Sequence, residues 1–184
     1  LCTRTNILMQ LMQPENNKIL LDVGCGSGIH MEMFIDKFKK VIGMDISKVM
    51  LNEAKNRLSK FPKNNYKLYL HDAEKKFPFK NSSFDIVLSI GLLDYTKPKQ
   101  VLLECQRVLK NNGIIIFTIP KSPSIFFFLR GKIGNFIRKK MLGLPPLESI
   151  INKKRLCILI KECGLEPMLI KSIWTTMWIV KARK

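Results

Sequence analysis

Three glycines at alternate positions, Gly24, Gly26 and Gly28, follow the apolar run Leu20-Leu21-Asp22-Val23. With no Cβ at these positions, the backbone can bend sharply and a ligand can lie against it. A helix opening just after the turn directs free N–H groups and its positive dipole end at that ligand. The pattern points to a nucleotide-like cofactor. Asp45 ends the stretch Gly43-Met44-Asp45, where a carboxylate can accept hydrogen bonds from both ribose hydroxyls of a nucleoside. A dinucleotide would use the same acid. The discriminating residue is Asp72, in His71-Asp72-Ala73-Glu74. An acid after the third strand can accept from the exocyclic amine of an adenine, which nicotinamide enzymes do not require. Further along, Asp94 and Tyr95 could take a proton from a substrate. Asp94 also reads as a cap for the helix after it. His30 and His71 are weaker candidates, since a lone histidine is more often structural. Glu74 reads as solvated surface and Met50 as core.

These residues need elements to place them. Helical spacing of Ile7, Leu8, Leu11 and Met12 predicts a helix over 1–13, broken by Pro14. Strands are predicted at 18–23, 41–44, 66–70, 84–89 and 114–119. Between them lie a helix from Gly28 burying Met31, Phe34, Ile35 and Phe38, a helix capped by Ser47, and a helix over 98–109. Asn111-Asn112-Gly113 reads as a turn. After residue 120 the alternation stops. A helix over 153–163 ends at Gly164, and strands over 165–170 and 174–181 close the chain as a hairpin. Strands that are continuous apolar runs, alternating with helices, predict a doubly wound α/β sheet with the ligand at the carboxyl ends of the strands.

On these residues the chain resembles the class I S-adenosyl-L-methionine (SAM)-dependent methyltransferases, most of all the small-molecule branch that includes the ubiquinone and menaquinone methyltransferases. The motifs that carry the resemblance are Leu21–Gly28 (LDVGCGSG), Gly43–Ser47 (GMDIS), His71–Phe79 (HDAEKKFPF), Ser83–Ser89 (SFDIVLS) and Arg107–Pro120 (RVLKNNGIIIFTIP). The resemblance implies one Rossmann-like domain over 1–184. Its sheet would have seven mostly parallel strands with an antiparallel C-terminal hairpin strand, and 121–150 would form a substrate cap. It implies that Gly24, Cys25, Gly26 and Gly28 line the methionine and ribose part of SAM. Asp22 would help hold the amino-acid end, and Asp45 the ribose. Ile46 would pack on the adenine, and Asp72 and Ala73 would hold its edge. Ser89 and Ile90 would contact the methionine backbone. Methyl transfer from a sulfonium is an in-line displacement with a good leaving group, so positioning can supply much of the rate. A base, from Asp94 or Tyr95, is needed only if the acceptor must lose a proton.

Composition narrows the acceptor. The net charge is +18, which suits a polyanionic partner or a lysine-rich solvated surface. Lysines far outnumber arginines and are spread along the chain, whereas base and phosphate readers lean on the arginine fork. The five cysteines form no CxxC pair and only two histidines exist, so neither a zinc site nor a disulfide framework is expected. No apolar run reaches the roughly 18 residues that span a bilayer, and no leader is recognisable; a cytoplasmic protein is expected. Ser89-Ile90-Gly91-Leu92 lacks the proline-rich motif of DNA amino-methyltransferases. Phe126, Leu129, Ile133, Phe136 and Ile137 fall at helical spacing among Arg130, Lys132, Arg138, Lys139 and Lys140. That stretch, 124–142, reads as a cap helix over the pocket or as a peripheral membrane contact. The expected acceptor is a small molecule or a lipid-like quinone. RNA methylation and a non-catalytic SAM-binding subunit are the alternatives.

Overall fold

A computed structural model of the chain describes residues 2–121, 151–173 and 177–184. Its strands are β1 (Ile19–Val23), β2 (Lys40–Asp45), β3 (Tyr66–Leu70), β4 (Phe84–Ser89), β5 (Leu109–Pro120), β6 (Glu166–Ile173) and β7 (Met177–Arg183). The helices are α1 (Cys2–Met12), α2 (Ile29–Phe34), α3 (Lys48–Leu58), α4 (Pro98–Val108) and α5 (Lys153–Glu162). The sheet has seven strands in the order β3-β2-β1-β4-β5-β7-β6. β1 to β5 run parallel, and β7 lies antiparallel between β5 and β6. From β1 the chain steps outward to β2 and β3, then returns to the other side of β1 as β4. The crevice above the ends of β1 and β4 is thus the topological switch point, where such sheets bind ligands.

Alternating side chains send successive strand residues to opposite faces. On one face Leu20, Val41, Ile86, Leu88 and Ile116 pack with Leu8, Met12, Met31, Phe34, Ile35, Phe38, Leu51 and Leu58. On the other, Leu21, Val23, Met44, Val87, Ile115 and Phe117 pack with Val101, Leu102, Cys105, Val108, Leu156 and Ile160. All of these residues are nearly or completely removed from water. Each large aliphatic side chain buried in this way contributes about 1.5–3 kcal/mol, so the two cores hold the strand ends in register.

Several local details depart from the sequence reading. Asn111-Asn112-Gly113 does carry turn chemistry, with Asn112 at φ 62, but it does not end the segment. It forms an irregularity inside β5, where Phe84 pairs with Leu109 and Ile86 with Ile114. A Cβ on Gly113 would lie 2.9 Å from the Lys110 carbonyl oxygen. β6 begins one residue later than expected because Leu165 is still bonded to the helix: its N–H donates to Ile160 O and that of Gly164 to Lys161 O. Part of the expected final strand, 174–176, lies outside the described residues, as does 122–150, which contains the expected cap and amphipathic stretch. Met50 is 40% exposed, at the start of α3, instead of in the core.

Gly28 shows how tightly the glycine turn is built. It stands at φ 77 as the N-cap of α2, and a Cβ there would sit 3.0 Å from Ala54 Cβ and 3.3 Å from Ala54 Cα. Gly28→Ala combines left-handed strain with a contact that only backbone movement of α3 relieves. It should destabilise the fold by about 2–3 kcal/mol. A lowered urea midpoint at constant slope would register this; an unchanged midpoint would show that α3 yields freely.

Candidate functional site

The glycine turn hangs from the end of β2. The N–H groups of Gly24 and Cys25 both donate to Met44 O, at 2.8 and 3.1 Å. The Gly26 N–H donates to Asp45 Oδ2 at 2.9 Å, and the Ser47 N–H donates to Asp45 Oδ1 at 2.8 Å. Asp45, half-buried at the end of β2, therefore shapes the turn. A carboxylate has about four lone-pair sites, so two remain for ligand hydroxyls. Ser47 does cap α3, its Oγ accepting from Met50 N–H at 3.3 Å. Above Gly26 there is no atom within 4 Å of where a Cβ would lie; the turn offers an open cradle there. At Gly24 the Leu92 side chain, from the segment after β4, packs directly on the backbone.

Asp22 is the most telling residue. It is 1% exposed, and neither carboxylate oxygen has a hydrogen-bond partner. Burial, with the Asp45 carboxylate adding to it, pushes its pKa up to about 7. A buried, unpartnered carboxylate beside a second acid is costly, and a bound cationic group such as an ammonium would relieve it. Burial and the same two carboxylates push the Cys25 thiol up as well, so Cys25 packs as a neutral group. Ser89, fully buried at the end of β4, also has an unpartnered hydroxyl. The segment beyond it is fixed by Thr118, whose Oγ1 accepts from the Gly91 N–H at 2.8 Å. Ile90 is half-buried there.

The adenine-side expectations fall on one edge of the crevice. Ile46 is 69% exposed at the end of β2, an apolar side chain available to a flat ring. Asp72 is half-buried; its Oδ1 accepts from the Glu74 N–H at 2.9 Å, and Ala73 beside it is buried. His71 braces this loop: its Nε2 donates to Lys76 O at 3.0 Å. Asp94 and Tyr95 stand in the turn after β4, half-buried and exposed respectively. The N-cap of α4 is Lys97, three residues beyond Asp94. Glu74, read from sequence as solvated surface, accepts from the Lys97 N–H at 2.8 Å. Sequence reasoning also missed Arg107, which donates to Phe77 O, Phe79 O and Asn81 Oδ1 and pairs with Glu104. Only the recurrence of acids and an arginine around the loop could have signalled it.

The site thus holds an orphaned buried acid, an open glycine cradle, an acid at the end of β2 and another after β3. These fit the ammonium, backbone, ribose and adenine of one elongated ligand. A family model described as a methyltransferase domain matches residues 21–117, more than half of the chain. An uncharacterised protein of Methanocaldococcus jannaschii is 35% identical over 71% of this chain and 49% of its own length. A demethylmenaquinone methyltransferase of Oceanobacillus iheyensis is 31% identical over 71% of this chain and 60% of its own length. The chain spans about half the length of these curated relatives. Among solved structures, a SAM-dependent methyltransferase of Methanosarcina mazei superposes with a TM-score of 0.75 at 20% identity, covering 97% of this chain and 96% of its own. The chain belongs to the methyltransferase domain family, and S-adenosyl-L-methionine is the cofactor that membership implies.

Proposed function

We propose that the chain is a SAM-dependent methyltransferase acting on a small, lipid-like acceptor of the quinone type. The observation that carries the cofactor part is Asp22: a carboxylate buried without a partner is a cost that an ammonium ligand removes. Asp22 takes the amino-acid end of the cofactor, with Ser89 and Ile90 against its backbone. Asp45 takes the ribose while holding Gly26, and Gly24, Cys25 and Gly28 complete the turn. Ile46 lies against the adenine, and Asp72 and Ala73 hold its edge. When bound, SAM supplies an activated methyl group. The protein's task is to align an acceptor with it and to exclude water. Leu92, packed on Gly24, and Tyr95, exposed beside it in sequence, place apolar and hydroxyl groups on that side. Asp94 or Tyr95 receives the acceptor's proton where one must leave.

The lipid-like acceptor rests on similarity to a demethylmenaquinone methyltransferase and on the sequence pattern of 121–150, which we assign as a cap within a single domain over 1–184. The amphipathic stretch 124–142 would let that cap meet a membrane surface. Among the described residues, no helix is long and apolar enough to cross a membrane. The charge of +18 favours RNA as the second reading. Radiolabelled methyl transfer separates them. Incubation with SAM and either a demethylated quinone or unmodified tRNA should label the organic-extractable quinone, with little salt dependence. Label entering tRNA only, and falling steeply with salt, would establish the RNA reading. Saturable SAM binding with no transfer to any acceptor would leave a non-catalytic subunit.

A further inference from the structure

Two loops flank the glycine turn. Residues 71–79 follow β3 and carry Asp72; residues 90–97 follow β4 and carry Asp94 and Tyr95. Glu74 joins them. Its N–H donates to Asp72 Oδ1 at 2.9 Å, and its own Oε1 accepts from the Lys97 N–H at 2.8 Å. Lys97 is the N-cap of α4, makes no side-chain cap bond, and is followed by Pro98 with no acid in the first turn. The N-cap residue itself thus offers no side-chain acceptor of the kind N-termini favour. In a capping box an acid three residues on takes the N-cap N–H; here Glu74 takes it from another loop and puts a carboxylate at the positive dipole end.

The same loop is bonded to the other end of α4. The Phe77 N–H donates to Glu104 Oε2 at 2.7 Å, and Arg107 donates to Phe77 O and Phe79 O at 3.1 and 2.9 Å. The loop after β3 is therefore strapped along the helix. Its far end is anchored by Glu104 and Arg107, and its near end, beside Asp72, by Glu74.

We propose that Glu74 is a positioning residue that ties the adenine-side loop to the first turn of α4, so that cofactor binding at Asp72 orders the acceptor-side segment 90–97. The tie itself stands on the hydrogen bonds alone; its coupling to the cofactor rests on the function proposed above. Amide hydrogen exchange tests both parts. Without ligand, Glu74→Ala should speed exchange in peptides covering 91–101 about five- to tenfold. Glu74→Gln, whose amide oxygen can accept the same bond, should restore protection. With saturating S-adenosylhomocysteine, the wild type should slow in both 71–79 and 91–101, and Glu74→Ala as much in 71–79 but at least about threefold less in 91–101, with affinity kept within about threefold. Unchanged ligand-free exchange in Glu74→Ala would overturn the tie. Equal slowing of 91–101 in both proteins would overturn the coupling. Failure of the wild type to bind S-adenosylhomocysteine would overturn the cofactor assignment instead, and the ligand-free comparison would still decide the tie.

Discussion

Asp22→Asn should make the protein more stable above pH 7 while it weakens cofactor binding. Asp22 is buried with no partner for either oxygen, and its pKa in the folded protein is raised from 3.8 to about 7. An acid with a raised folded-state pKa binds its proton more tightly folded than unfolded. Stability attributable to it is therefore lost as pH rises from about 4 to about 7, and the full penalty applies above that. Asparagine mimics the protonated acid, so the variant escapes the penalty. The shift corresponds to roughly 2–4 kcal/mol at pH 8, an upper range since water entry relieves part of it. At pH 4 the two proteins should unfold together. Cofactor binding moves the other way. An ammonium selects the ionised carboxylate, so wild-type affinity should fall by up to about tenfold per unit as pH drops below about 7. Asp22→Asn should lose about ten- to a hundredfold in affinity at pH 8 and show a flat profile. Urea unfolding and SAM titration across pH 5–8 measure both. A variant less stable than wild type at pH 8 would mean that Asp22 has a partner in solution, and the argument for an ammonium ligand would fail.

The parts of this molecule that were legible in sequence are those governed by periodicity and by glycine. β4 falls where its apolar run places it because both faces of the sheet are covered there, so Phe84–Ser89 is almost wholly buried, whereas the edge strand β3 is only half-buried. Gly164 marks the end of α5 because only its left-handed conformation closes the last turn. What could not be read depends on contacts between distant segments. Asn111-Asn112-Gly113 has the residues of a turn, but pairing with β4 on both sides of it, at Leu109 and Ile114, carries the strand through. Asp22 and Asp45 could be placed at adjacent strand ends, yet nothing in the sequence says that Asp45 spends two of its acceptor sites on Gly26 and Ser47 and that Asp22 spends none. Glu74 looked like a surface acid because its partner is a backbone N–H in another loop. A backbone donor leaves no trace in residue type.

The second large effect is expected at Asp45, where shaping and binding coincide. Asp45→Ala removes the acceptor for the Gly26 and Ser47 N–H groups and the carboxylate proposed above to take the ribose. Two charge-assisted bonds lost to the turn should cost about 1–3 kcal/mol of stability. The loss of the ribose acceptor, with a turn no longer held, should lower SAM affinity at least about a hundredfold. Binding within about threefold of wild type would overturn the assignment. The stability readout carries a second result, because the Asp45 charge helps to raise the Asp22 pKa. Removing it should move the Asp22 titration down from about 7, and the stabilisation gained from Asp22→Asn at pH 8 should shrink in the Asp45→Ala background. A double-mutant cycle at pH 8 reads that coupling directly. Non-additivity of this sign requires the two carboxylates to share one low-dielectric space. That space is where a cofactor bearing both an ammonium and a ribose would lie. If the two substitutions add independently, the acids belong to separate environments, and a single ligand no longer explains why both are there.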